Sequence, residues 1–120
     1  MRNKELFTYR RPKGVVGVIT PSNFPVAVPA WKIIPALLCG NTVVGKPAPD
    51  SAACAHIFGK LMHAAGLPDG VLNIVYGFGK TAGQALLDAV DAGKVHKISF
   101  TGSTAVGKLV GEVCGRNLIT

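Results

Sequence analysis

The sequence predicts an α/β domain in which helices flank a parallel sheet of about four strands. Four short apolar segments alternate along the chain with segments of helical periodicity. The composition, 48% hydrophobic and only 7% aromatic, suits helices layered on a sheet, and 120 residues fit one domain. Because strands joined through helices run parallel in one sheet, the alternation indicates a wound sheet.

Short runs rich in β-branched residues identify the strands, and the first of them has the continuous apolar character of a strand buried on both faces. The predicted strands span 14–20, 42–45, 71–75 and 95–100. The predicted helices span about 28–38, 52–65 and 84–90, and a last helix begins after the turn at 101–104.

Individual side chains refine the helices. Pro29 fits the first turn of the first helix, whereas Pro35 lies inside it and should kink or divide it. Asp50 and Ser51 can cap the second helix, and Trp31 is expected to pack in the interior. The expected apolar faces are Cys54, Ile57, Phe58, Leu61 and Ala65 on the second helix, and Val106, Leu109, Val110 and Val113 on the last.

Much of the formal net charge of +7 lies near the N-terminus, in Arg2, Lys4, Arg10, Arg11 and Lys13. The other basic residues are spread singly, no aromatic residues interleave with a basic stripe, and no nucleic-acid motif is present. A solvated surface is therefore favoured over nucleic-acid binding. We divide the chain into a basic N-terminal arm over 1–13 and a domain over 14–120.

Cysteine usage and apolar runs indicate the setting. Cys39, Cys54 and Cys114 lack the paired spacing of a disulfide framework, and no cluster of cysteine and histidine suggests a metal. Their places in predicted helices favour burial over nucleophilic work. The first residues lack the apolar core of a signal peptide, and no run is long enough to span a membrane. We therefore expect a reducing, cytoplasmic location.

Four segments follow the predicted strands, at 20–25, 45–49, 76–83 and 100–107. In an open parallel sheet, ligands bind beyond these carboxyl ends. Two of the segments are rich in glycine, one holds Lys46, and one holds Asn23. This convergence predicts a site for an anionic cofactor.

Each candidate also has a purely structural interpretation. Ser103 opens a helix whose free N–H groups attract phosphate, but it is equally suited to be an ordinary N-cap. Lys46 can reach ribose hydroxyls or phosphate, although a solvated surface lysine is commoner. Asn23 can donate to an oxyanion or close its own turn. The loop 77–83 matches neither the dinucleotide fingerprint nor a P-loop, so it is a weak signal alone.

Five motifs in order carry a family resemblance. They are Gly-Val-Val-Gly-Val-Ile-Thr-Pro-Ser-Asn-Phe-Pro, Pro-Ala-Trp-Lys-Ile-Ile-Pro-Ala-Leu, Gly-Asn-Thr-Val-Val-Gly-Lys-Pro, Gly-Leu-Pro-Asp-Gly-Val-Leu-Asn-Ile-Val and Phe-Thr-Gly-Ser-Thr-Ala-Val-Gly. Together they resemble the aldehyde dehydrogenase superfamily, from about Arg11 to the end of the chain. The resemblance implies that 14–120 is a partial dinucleotide-binding domain with an incomplete, Rossmann-like sheet, and that the cofactor is NAD or NADP.

The resemblance also implies individual roles. Asn23 matches the asparagine that holds the oxyanion formed from the aldehyde. Lys46 matches a lysine that bonds the adenosine ribose, and Ser103 matches a serine that binds the pyrophosphate. The other implied cofactor contacts are Ile19, Thr20, Pro21, Ala48, Pro49, Gly79, Gly83, Phe100 and Val106. No metal ligand is expected.

Two departures from the family pattern matter. Pro49 replaces a glutamate that, in many NAD-preferring members, bonds the ribose 2′-hydroxyl and repels a 2′-phosphate, so we expect NADP to be accepted as well. The chain ends at Thr120, before the segments that carry the family's general-base glutamate and nucleophilic cysteine. This chain alone is therefore expected to be inactive.

The implied parent activity is oxidation of an aldehyde to a carboxylic acid. The implied partners are an aldehyde substrate in the full-length enzyme and further copies in self-association or a homo-oligomer, with neither nucleic acid nor membrane. Two alternatives stay open for the chain itself. Besides a fragment of such an enzyme, it can be a stand-alone, non-catalytic nucleotide-binding module or a truncated structural remnant.

Overall fold

A parallel sheet with helices on both faces forms the centre of the computed structural model, which describes residues 3–120. The strands are β1 (Val15–Ile19), β2 (Thr42–Lys46), β3 (Leu72–Ile74) and β4 (Lys97–Phe100). The helices are α1 (Ala27–Leu38), α2 (Ala52–Ala64), α3 (Gln84–Asp91) and α4 (Thr104–Arg116). A 3₁₀ turn over Pro49–Ser51 precedes α2, and a π turn over Gly79–Gly83 precedes α3. The predicted α/β fold class is confirmed.

The order of the strands in the sheet is β3-β2-β1-β4, and every neighbouring pair is parallel. The chain moves outward from β1 through β2 to β3 and then crosses to the other side of β1 to form β4. The direction of winding therefore reverses between β1 and β4. In wound sheets of this kind, such a switch point opens a crevice at the carboxyl ends of the strands.

Alternation along the strands divides the interior into two layers. Val16, Val18 and Val43 pack with Ile33 of α1 on one face of the sheet, and Phe58 of α2 contacts this cluster. The opposite face packs against α3 and α4. Its buried cluster is Leu86, Leu87, Val90, Val95, Ile98, Val110, Val113 and Cys114. As predicted, β1 is covered on both faces, which makes it the central strand of the fold.

Two polar side chains hold the amino end of β1. The amide oxygen of Asn41 accepts hydrogen bonds from the backbone N–H groups of Lys13, at 2.6 Å, and Gly14, at 3.1 Å. His96 accepts the N–H of Val15 at Nδ1, at 3.0 Å, while its own backbone N–H donates to the Val15 carbonyl at 2.9 Å. The backbone that enters the central strand is thus bonded from both neighbouring strands.

Three expectations about the helices differ from the structure in whole or in part. Pro35 does not divide the first helix, because α1 continues through it to Leu38, and Pro35 itself is exposed on the solvent side. The Ser51 side chain caps no helix, since its hydroxyl donates to the Ala48 carbonyl at 3.0 Å within the 3₁₀ turn. Trp31 is 71% exposed instead of packed, because it borders an open groove between α1, β4 and the N-terminal segment.

The expected apolar faces of α2 and α4 are only partly buried. On α2, Ala55 is buried and Phe58 half-buried, but Ile57 and Leu61 are exposed. On α4, Val110 and Val113 are buried as expected, whereas Val106 and Leu109 remain exposed. The apolar stripe predicted for α2 is therefore displaced from the buried side of that helix, since Ala55 was not part of it, and the stripe predicted for α4 is buried only in its second half.

Several expectations concern the chain outside these elements. Residues 3–13 of the predicted arm are exposed and form no regular secondary structure, while Arg2 lies outside the described residues. Within 3–120 no helix is long and apolar enough to cross a membrane, and no group of three or more potential metal ligands is found. The three cysteines are free thiols.

Candidate functional site

Three of the predicted cofactor residues are in register at the carboxyl end of the sheet. Ile19 at the end of β1 pairs in register with Lys46 of β2 on one side and with Phe100 of β4 on the other. Registered residues of parallel strands point to the same face, and neighbouring strands are about 4.8 Å apart. A cation, a branched aliphatic group and an aromatic ring therefore form one row at the carboxyl edge, on the face covered by α3 and α4.

Lys46 is buried, with 5% of its surface exposed. Its ammonium group donates to the Pro47 carbonyl at 3.1 Å, and burial lowers the pKa of this lysine below its ordinary value. A β-carbon added to Gly83 would lie 4.0 Å from its Cε, so the side chain runs beside the glycine-rich π turn. The commoner interpretation of Lys46 as a solvated surface lysine is wrong.

Phe100 and the start of α4 form the other end of the row. A β-carbon at Gly102 would lie 2.7 Å from Cζ of the Phe100 ring, and one at Gly107 would lie 3.3 Å from Cε1. The two glycines thus give the ring its space against the first turn of α4. Ser103 precedes this helix, and its hydroxyl accepts the Val106 N–H at 3.4 Å. The cap bond is present, and Ser103 remains exposed toward the switch point.

The segment after β1 divides between the two faces of the sheet. The Thr20 N–H donates to the Lys46 carbonyl at 3.3 Å, which extends the ladder by one residue, and Thr20 is buried. Pro21 is half-buried, and Asn23 is exposed in the bend that leads into α1. Asn23 therefore lies beyond the carboxyl end of β1, in the connection to α1.

All the site residues predicted from the sequence lie at this one edge, because each either ends a strand or follows one closely. The residues not yet placed are Ala48, half-buried before the 3₁₀ turn; Pro49, exposed within it; Gly79, exposed at the start of the π turn; and Val106, 43% exposed in the first turn of α4. Ala48 and Pro49 thus follow β2, whereas Gly79 precedes α3 and Val106 belongs to α4.

Lys32 is a polar residue of this edge that the sequence reasoning missed. Its ammonium group donates to Ser99 Oγ at 3.0 Å and to the Phe100 carbonyl at 3.2 Å, which ties α1 to the end of β4. Burial lowers its pKa, and the positive charge of Lys97 lowers it further. The available signal was a single lysine in a helix of otherwise apolar residues.

Beside Lys32, a groove of about 680 Å³ runs between α1, β4 and the N-terminal segment. Trp31, Lys97 and Thr101 contribute to its lining, as do Arg10, Arg11 and Lys13. It lies on the α1 face, whereas the row of Lys46, Ile19 and Phe100 lies on the other. The groove and the row are therefore two separate features that share the β4 edge.

The chemistry of the row suits a dinucleotide. Helix starts leave N–H groups without intrahelical acceptors, and these attract phosphate. Lys46 is a buried cation at the carboxyl end of β2, and Ile19 and Phe100 are half-buried apolar side chains beside it. None of these groups is a nucleophile. The buried Cys114 is unsuited to that role, because burial raises the pKa of its thiol.

Comparison with known proteins decides the family. Residues 1–120 match the sequence profile of the aldehyde dehydrogenase family along their whole length. The chain belongs to the aldehyde dehydrogenase family. It is 53% identical over 111 residues to phenylacetaldehyde dehydrogenase of Pseudomonas fluorescens and 51% identical over 111 residues to retinal dehydrogenase 2 of Homo sapiens. Each match covers 92% of this chain.

Solved aldehyde dehydrogenases have the same fold. An NAD⁺ complex of an aldehyde dehydrogenase from Bacillus cereus superposes with a TM-score of 0.86 at 39% identity, over 93% of this chain and 22% of that one. The protein PnpE in complex with nicotinamide adenine dinucleotide superposes with a TM-score of 0.83 at 46% identity, over 92% and 22%. The chain spans only 21–22% of the length of the curated aldehyde dehydrogenases above.

Proposed function

We propose that this chain forms the cofactor-binding part of an NAD(P)-dependent aldehyde dehydrogenase, an enzyme that oxidises an aldehyde to a carboxylic acid. The observation that carries the proposal is the row of Lys46, Ile19 and Phe100 beside the N-terminus of α4. It combines a desolvated cation, an apolar floor and a helix start at a topological switch point. The NAD complexes among the structural relatives support a nicotinamide dinucleotide as the ligand.

Each residue of the site has one task in binding. The N-terminus of α4 and the Ser103 hydroxyl bind the pyrophosphate, and Lys46 bonds the adenosine ribose. The small residues Gly79 and Gly83 let the adenosine approach the backbone, and Val106 packs against the adenine. Ile19, Thr20 and Pro21 contact the cofactor from the end of β1, and Ala48 contacts it from the end of β2. The bound dinucleotide supplies the hydride acceptor of the reaction.

Asn23 acts on the substrate. In the proposal, its side-chain amide donates to the aldehyde oxygen while negative charge develops on that atom. Its exposed position after the carboxyl end of β1 supports this role. Neither the attacking thiolate nor the general base is assigned to a residue of this chain, so the 120 residues alone should bind cofactor without oxidising aldehydes.

Calorimetric titration of the chain with NAD tests the binding site. We expect measurable binding, which Lys46→Met and Ser103→Ala each weaken by about tenfold. Lys94→Met is the matched control, because Lys94 is an exposed lysine at the opposite edge of the sheet, and it should leave the affinity unchanged. Equal loss in Lys46→Met and Lys94→Met would show that general charge, and not the position of Lys46 in the row, controls binding. Absence of binding would favour the alternative of a structural remnant.

Cofactor choice depends on Pro49. This residue is exposed at the start of the 3₁₀ turn, where it offers no carboxylate to a ribose 2′-hydroxyl and none to repel a 2′-phosphate. We expect the dissociation constants of NAD and NADP to differ by less than about tenfold, and Pro49→Glu to weaken NADP binding selectively by about that factor. A preference of the unmodified chain for NAD above this limit would contradict the assignment.

Localisation and assembly stay proposals of the same kind. We propose a cytoplasmic location, because the three cysteines are free thiols and the cytoplasm is a reducing compartment that keeps thiols reduced. Homo-oligomerisation is proposed from the exposed apolar side chains of α2 and α4, and sedimentation at several concentrations tests it.

A further inference from the structure

The outer edge of β3 lies beside a groove that the proposed cofactor site does not use. The groove has a volume of about 520 Å³ and separates one side of α2 from β3. The helix contributes His56, Gly59, Lys60, His63 and Ala64, and the strand side contributes Leu72, Ile74 and Tyr76. Helix and strand meet closely at its base, because a β-carbon at Gly59 would lie 2.9 Å from Ile74 Cδ1.

The backbone of β3 is available for pairing on this side. Within residues 3–120, β3 pairs only with β2. Odd-numbered residues of the β3 segment make the hydrogen bonds at both ends of that pairing. The Val71 carbonyl accepts the Val43 N–H, and the Val75 N–H donates to the Gly45 carbonyl. Because backbone groups alternate along a strand, those of Leu72, Ile74 and Tyr76 point outward, at the spacing that an added strand requires.

The side chains above this edge are basic. They are Lys60 and the two histidines His56 and His63, all on α2. Among the described residues no carboxylate lines the groove; Asp69 lies 3.4 Å from His63, and both of these side chains are largely exposed. A second copy of this chain would bring the same positive charges to the groove, so like charges disfavour pairing of β3 with β3.

We propose that the β3 edge binds an extended acidic peptide segment of another protein by strand addition. The segment pairs its backbone with Leu72, Ile74 and Tyr76, and its carboxylates, at alternate positions, face Lys60 and the two histidines of α2. Main-chain hydrogen bonds supply affinity that is independent of sequence, and the basic helix selects acidic side chains. No part of the row at the strand ends is involved, so the proposal is independent of cofactor binding.

Three synthetic octapeptides separate strand addition from simple charge attraction. One alternates Thr and Glu, one alternates Thr and Lys, and one alternates Pro and Glu, which keeps the negative charge but removes every second N–H donor. Binding to the 120-residue chain is measured by fluorescence anisotropy of labelled peptides. We expect the Thr-Glu peptide to bind at least about tenfold more tightly than either of the others. Equal binding of the Pro-Glu peptide would overturn the proposal.

Charge reversal locates the site. Lys60→Glu should lower the affinity for the Thr-Glu peptide by about tenfold and raise that for the Thr-Lys peptide. Lys108→Glu, an equal change on α4 beyond the other edge of the sheet, should change neither affinity. Hydrogen exchange should show protection of the Leu72, Ile74 and Tyr76 amides when the peptide is bound. Protection elsewhere, or an unchanged affinity in Lys60→Glu, would contradict the proposal.

Discussion

The ring of Phe100 fills the space that a side chain at Gly102 would need, since a β-carbon there would lie 2.7 Å from Cζ of the ring. The turn after β4 and the aromatic residue that ends the strand are therefore matched to each other. Because the same ring also contacts the place of a β-carbon at Gly107, it has little room to move toward α4.

Gly102→Ala should displace the Phe100 ring from the row. The side chain must leave its present rotamer, and such overpacking costs about 1–3 kcal/mol. We expect a lower free energy of unfolding together with weaker NAD binding, measured by urea denaturation and calorimetry. Gly111→Ala is the matched control, because nothing lies within 4 Å of a β-carbon there and Gly111 is not among the proposed cofactor contacts. A Gly102→Ala variant with unchanged affinity would show that the ring position does not matter for binding.

Lys46→Met should stabilise the fold while it weakens cofactor binding. Burial lowers the Lys46 pKa, so the charged form is disfavoured in the folded state, and this cost is present at neutral pH. Removing the charge should raise the free energy of unfolding by up to about 1 kcal/mol. This gain in stability should shrink as pH rises above the lowered pKa of Lys46 in the folded state. It should vanish above the ordinary lysine value of about 10.4, because wild-type Lys46 is then neutral in both the folded and the unfolded protein. Destabilisation at pH 7 would contradict this prediction.

Asp91 should contribute an acid-sensitive part of the stability. Its pKa is lowered by hydrogen bonds from Arg116 and then from Asn117, at the junction of α3 and α4. A lowered carboxyl pKa stabilises the fold above the unfolded value of about 3.9, and the contribution is lost as pH falls through the folded value. In urea unfolding from pH 2 to 6, Asp91→Asn should be less stable than wild type only at the upper end of this pH range. Glu5→Gln, in the N-terminal segment, should match wild type throughout.

His96→Ala should destabilise the entry to the central strand. The variant loses the acceptor for the Val15 N–H, a bond of 3.0 Å, and the expected cost is about 1 kcal/mol because the ring is exposed and water replaces it in part. His96→Asn should restore part of the stability, since its amide oxygen can accept. His56→Ala, an exposed histidine of α2, should lie within about 0.5 kcal/mol of wild type. Thermal unfolding of the three variants measures the difference.

Local patterns were sufficient to predict the fold class and the approximate bounds of the elements. The apolar run of β1 and the strand-helix alternation are properties of neighbouring residues, which a sequence displays directly. The position of β4 beside β1 depends on the pairing of Val16 with Lys97, which no local pattern indicates. The His96 bond to Val15 depends on the same distant pairing, and it was not predicted for that reason.

The sequence indicated only part of the candidate site, because several of its features depend on contacts between segments that are distant in sequence. Strand ends indicated where Asn23, Lys46 and Ser103 would gather, because the carboxyl ends of parallel strands share one edge. The burial of Lys46 and the exposure of Trp31 depend on how the helices pack, and the commoner behaviour of each residue type predicted the opposite. The bond from Lys32 to the end of β4 joins two elements that are distant in sequence.

The crossing of the chain from β3 back to β1 also has a consequence for the order of folding. The pairings of β1 with β2 and of β2 with β3 join segments close in sequence, whereas the bond between Val15 and His96 spans 81 residues. Closing such a long loop costs conformational entropy before any contact compensates for it. We therefore expect β1, β2 and β3 to associate first and β4 to dock last. The crevice between β1 and β4 would then be the final part of the molecule to acquire its shape.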